Sequence, residues 1–142
     1  MQWDIFCRVV DNLGDIGVCW RLCADLAARG QKVRLWIDVP DDLDWMVPGA
    51  RQGLVPGVEV VHWTEPVQPP RDWLRGDVWV EAFGCDPARE CLDALATHVC
   101  GGGRAPVWLN LEYMSAEAYV ERCHRLPSPV MTGPLQGLTK WF

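Results

Sequence analysis

At 142 residues the chain is long enough for one domain with its own core and too short for two. Hydrophobic residues make up 49% and charged residues 23%, and no apolar run approaches the roughly 20 residues that cross a bilayer, so a soluble globular domain is expected and a membrane partner is not. The net charge of −6 argues against a nucleic-acid partner, which needs a basic stripe to replace phosphate counterions.

The start, Met1-Gln2-Trp3-Asp4, has neither the basic residues nor the long apolar stretch of a secretory signal, and a cytoplasmic protein is the simplest reading. Trp3 to Val10 is short and rich in β-branched and aromatic residues, and reads as a strand. Asp11-Asn12-Leu13-Gly14-Asp15 follows as a turn. From Ile16 to Arg29 the apolar residues Val18, Cys19, Leu22, Cys23, Leu26 and Ala27 recur at helical spacing, and Gly30 stands where a helix ends. Lys32 to Ile37 is a second strand, which completes a βαβ unit and implies a parallel sheet. Val39 to Pro56, with three prolines, reads as loop with one short helical turn. Strands are expected over Val58–Trp63, Asp77–Glu81 and Pro106–Leu111, with a helix over Pro87–His98 between the last two. A final helix is expected from Ala116 to His124, with Ser115 as its N-cap. The tail after Leu126 is rich in proline, glycine and threonine. This divides the chain into a domain over 1–126 and, over 127–142, a linker with the start of a further domain. About five strands with helices between them favour an open, doubly wound α/β sheet.

Seven cysteines occur without any CxxC pair, so free and mostly buried thiols are expected, and no metal site. His62, His98 and His124 are scattered and form no constellation. The nine tryptophans read as packing residues.

In an open parallel sheet, ligands bind beyond the carboxyl ends of the strands, which makes the first β-to-α loop, Asp11 to Gly17, the prime candidate site. It is neither a GxGxxG fingerprint nor a P-loop, and an aspartate at the helix start repels a pyrophosphate. Two readings stand for its carboxylates. In one, Asp15 is a helix N-cap and Asp11 forms an Asx-turn. In the other, they orient a cationic or hydroxyl nucleophile and take its proton. Glu112 and Tyr113, just after the fifth strand, lie at the same edge and are candidates for contacts to an acceptor; Glu81 is a weaker one.

The run Trp3-Asp4-Ile5-Phe6-Cys7, continued by Val10-Asp11-Asn12-Leu13-Gly14-Asp15-Ile16-Gly17-Val18-Cys19-Trp20-Arg21-Leu22, resembles the opening of the elongation factor P arginine rhamnosyltransferases. Glu81-Ala82-Phe83-Gly84-Cys85-Asp86, Trp108 to Glu117, and His124-Arg125-Leu126-Pro127-Ser128 are similar to later blocks of that family and keep its order. The resemblance implies the Rossmann-like N-terminal domain of an inverting GT-B glycosyltransferase. Such an enzyme transfers rhamnose from the sugar nucleotide dTDP-β-L-rhamnose to an arginine of elongation factor P, without a metal or other cofactor. It gives Asp15 the role of base or activator for the acceptor guanidinium, with Asp11 beside it on the acceptor. It places Asn12, Leu13, Gly14 and Asp15 at the border of the donor sugar. Leu13 departs from the aromatic common at that position, and the family's donor-binding domain is not in these 142 residues. The isolated chain is therefore expected to bind and not to turn over. A non-catalytic α/β protein-binding module is the alternative; a nucleotide-dependent oxidoreductase is a poorer one, for want of GxGxxG.

Overall fold

Alternation along the strands builds the sheet. In β1 (Gln2–Cys7), Ile5 and Cys7 join one buried cluster, while Phe6 joins another on the opposite face. The pattern repeats in β2 (Lys32–Ile37), where Val33, Leu35 and Ile37 oppose Trp36, and in β4 (Val78–Ala82), where Val78, Val80 and Ala82 oppose Trp79. Strands with apolar residues on both faces must be covered on both, which is the environment of a parallel sheet. The computed structural model describes residues 1–10, 12–64, 67 and 76–142.

The sheet has seven strands in the order β3-β2-β1-β4-β5-β7-β6. Here β3 is Val58–His62, β5 is Val107–Leu111, β6 is Pro127–Pro129 and β7 is Thr139–Trp141. All neighbours pair in parallel except β6 with β7. This is the expected α/β class, with one antiparallel edge. Helix α1 (Asn12–Ala28) buries Ile16, Cys19, Cys23 and Leu26 on the first face, joined by Leu43 of α2 (Asp41–Met46). On the second face α3 (Arg89–Cys100) buries Cys91, Leu95 and Ala96 against Phe6, Trp36, Trp79 and Trp108. The strand order reverses between β1 and β4, so the ligand-binding crevice of such a fold lies beyond the carboxyl ends of these two strands.

Three expectations change. Helix α1 begins at Asn12 and not at Ile16, so Gly14 and Gly17 lie inside it. Each interior glycine costs about 1 kcal/mol, and burial of the Ile16–Cys19–Cys23–Leu26 stripe outweighs that. The last helix, α4, is only Tyr119–Cys123; Ser115 does not cap it but accepts the Glu117 N–H in a local turn. Residues 127–142, read as a linker, contain two strands of the same sheet.

The second face also carries a buried ion pair. Arg34 lies opposite Asp4 in register and donates to both its oxygens, at 2.7 and 3.0 Å, while the Trp36 indole N–H adds a third bond at 2.9 Å.

Candidate functional site

The β1–α1 connection and the segments following β4 and β5 converge at the switch point. Asp15, in the first turn of α1, has no exposed surface. Its Oδ2 accepts the Val10 N–H at 2.9 Å and its Oδ1 accepts the Tyr113 hydroxyl at 3.0 Å. The N-cap reading, in which it would bond the N–H of Gly17 or Val18, is thereby corrected. The helix starts earlier, and the carboxylate turns back to the incoming chain. Tyr113 is half-exposed, and its ring lies flat on Phe83, with centroids 4.2 Å apart and an interplanar angle of 14°. Phe83 closes β4 with φ +58°, and Gly84 follows at +70°. A bulky residue in this region is uncommon and strained. Its N–H still bonds Leu111 O, which fixes the turn to β5.

The other candidates are placed as follows. Leu13 and Gly14 are exposed on the first turn of α1. Asp11 and the side chain of Asn12 lie outside the described residues. Glu112 is exposed and accepts a hydrogen bond from the Asn110 side-chain amide. The structure thus joins Asp15 to Tyr113 and ties Glu112 to its own strand end. Among the described residues no group of three or more His, Cys, Asp or Glu is arranged to hold a metal ion, and no helix is long and apolar enough to cross a membrane.

Glu81 stands apart from these groups. It faces the second side of the sheet, buried, and accepts two bonds from Lys140 of β7 at 2.9 and 3.0 Å. The ammonium also sits 4.4 Å from the centre of the Trp108 ring. Sequence reasoning gave Lys140 to a linker, so this pair went unseen. Burial outweighs the lysine and raises the Glu81 carboxyl from 4.5 to about 7. A carboxylate raised in the folded state stabilises most below its unfolded pKa, and that contribution is lost as pH rises toward 7. The loss is on the order of 3 kcal/mol. Urea unfolding at pH 5 and pH 8 is expected to show this decline, and Glu81→Gln is expected to flatten it. An equal decline in both proteins would mean that other groups cause it.

The cysteines are chemically quiet where they are buried. Cys7, Cys19, Cys23, Cys85 and Cys91 are all buried and unbridged. Sharing a hydrogen bond with Cys19, and then burial, drives the Cys7 thiol far up; burial pushes those of Cys85 and Cys91 up to about 12.

On the first face, next to the site, β5 and β7 are not covered by a long helix. An apolar groove of about 1280 Å³ remains there, walled by Leu109, Leu111, Tyr119, Val120 and Trp141 and reaching Tyr113.

What the site can do follows from its parts. A fixed carboxylate in the first turn of α1, beside the acidic and aromatic side chains of Glu112 and Tyr113, suits a cationic hydrogen-bond donor far better than a phosphate.

Residues 3–142 match the family described as Elongation-Factor P (EF-P) rhamnosyltransferase EarP. The chain is 45% identical over 139 residues to a protein-arginine rhamnosyltransferase of Pseudomonas putida, covering 92% of this chain and 34% of that protein. It is 44% identical over 148 residues to that of Pseudomonas aeruginosa, covering 99% and 36% respectively. To one from Neisseria meningitidis it is 37% identical over 149 residues, covering 97% and 34%. The chain therefore spans only 34 to 36% of the length of these curated relatives.

Proposed function

The chain belongs to the elongation factor P rhamnosyltransferase family, and from that premise we propose that it is the acceptor-side half of an inverting GT-B enzyme. The reaction moves rhamnose from dTDP-β-L-rhamnose to an arginine of elongation factor P in the cytoplasm. The observation that carries this reading is Asp15, a carboxylate fixed at the switch point of the sheet by the Val10 N–H and the Tyr113 hydroxyl.

The chemistry assigns each group a task. An arginine is protonated at neutral pH and is a poor nucleophile. Asp15 holds the guanidinium and concentrates its charge, a task that Asp11 shares; Glu112 and Tyr113, which follow β5, border the acceptor. As a guanidinium nitrogen bonds to C1 of the sugar, the bond from C1 to the phosphate oxygen breaks and dTDP leaves. The nitrogen's proton passes to Asp15. No metal is assigned a part. Asn12 and the exposed Leu13 and Gly14 border the sugar, whereas the nucleotide needs a second half across the crevice.

The test is a mass measurement. Elongation factor P incubated with dTDP-β-L-rhamnose and a full-length enzyme carrying this chain should gain one deoxyhexose on an arginine. The 142-residue chain alone should bind elongation factor P and leave its mass unchanged. Modification by the chain alone would overturn the half-site reading, and no modification by the full-length enzyme would overturn the reaction.

A further inference from the structure

Asp15 has no exposed surface, yet the reading above requires it to meet an arginine. A carboxylate so placed is reached only when a neighbour gives way. The Val10 N–H belongs to the backbone leaving β1 and is set by the fold. The Tyr113 hydroxyl comes from the irregular segment between β5 and α4, on a side chain that is 53% exposed. Its ring is parked on Phe83, which holds a left-handed backbone to present that face.

We propose that Tyr113 is a displaceable cap: its hydroxyl occupies, on Oδ1 of Asp15, the place that an acceptor guanidinium N–H takes. The proposal rests on the transferase reading and adds to it how the acceptor gains access. In the free protein the phenol satisfies part of a buried charge that would otherwise be costly. The guanidinium is the stronger donor, because it is cationic and offers paired N–H groups to one carboxylate. Exchange of one donor for the other leaves Asp15 satisfied in both states. The Phe83 face keeps the released ring near the site.

Tyr113→Phe tests this through two quantities that the cap links. The variant keeps the ring and its stack but loses the hydroxyl, so only the free state is weakened. Affinity for elongation factor P, measured by calorimetry, should rise about tenfold. The folding equilibrium constant of the free protein should fall by a matching factor, since both changes report the same hydrogen bond. Weaker binding would overturn the cap and make Tyr113 a direct ligand of the acceptor. Lower stability with unchanged affinity would overturn it in favour of a structural bond only. Should Tyr113→Phe fail to fold, Phe83→Leu removes the stack and leaves every group on Asp15, and tighter binding is again expected. If the unsubstituted protein does not bind elongation factor P, the transferase reading falls and the cap with it. Unchanged binding in both variants overturns the cap alone.

Discussion

Asp15→Asn in the full-length enzyme is expected to lower the rate of arginine modification by about a hundredfold or more, the usual scale for losing a positioned base. The substitution preserves shape, and its remaining carbonyl oxygen still accepts from the Val10 N–H or from the Tyr113 hydroxyl. In the proposed reaction it removes the negative charge that would hold a guanidinium and receive its proton. Asp15→Ala is a less clean test, because it strands both donors at a buried position and costs stability as well. Single-turnover measurements with saturating acceptor separate the effect on chemistry from any effect on binding. A rate within about threefold of the parent would remove Asp15 from the mechanism.

The largest effect on folding is expected at the ion pair on the other face of the sheet. Arg34→Met should destabilise the protein by about 3–5 kcal/mol, because it removes the guanidinium that donates to both oxygens of a buried carboxylate. Asp4 has no exposed surface, and each of its oxygens loses a charged donor when the guanidinium is removed. The surroundings are also tight. A Cβ placed on Gly76 would come within 2.2 Å of Asp4 Oδ2, so position 76 tolerates no side chain without displacing the carboxylate. Removing both charges, as Asp4→Leu with Arg34→Met, should recover much of the loss, since an apolar pair of similar volume carries no desolvation cost. Urea midpoints of the single and double variants decide the matter: a double variant as weak as the single one would mean that shape, and not charge, is being lost.

Apart from α2, which lies in a stretch read as loop, the strands and helices of the first 111 residues follow from periodicity, because β1, β2 and β4 alternate their faces and α1 repeats its apolar stripe. What periodicity cannot carry is a relation between distant residues. Asp4 reads as an ordinary polar interruption of a strand until Arg34 is brought beside it by the parallel register. Asp15 and Tyr113 were both candidates, but their bond spans two elements and depends on where the segment after β5 turns. Gly14 and Gly17 concealed the true start of α1, because local propensity disfavours the helix that tertiary burial then stabilises. The tail misled by composition. Proline and glycine suggest a linker, yet pairing with β5 and the Lys140–Glu81 bridge draw β7 into the sheet.

Those tail prolines also decide who else can join the sheet. Leu126 accepts the Phe142 N–H and Val130 donates to Leu138, so the backbone groups of even-numbered residues around β6 turn inward to β7. By the two-residue alternation of a strand, Pro127 and Pro129 face the open edge, where each lacks the N–H that a docking strand would require. A second chain arriving at this border finds no donors to zip against. The sheet is thereby protected from templated, edge-to-edge association on the very side where its apolar groove lies open.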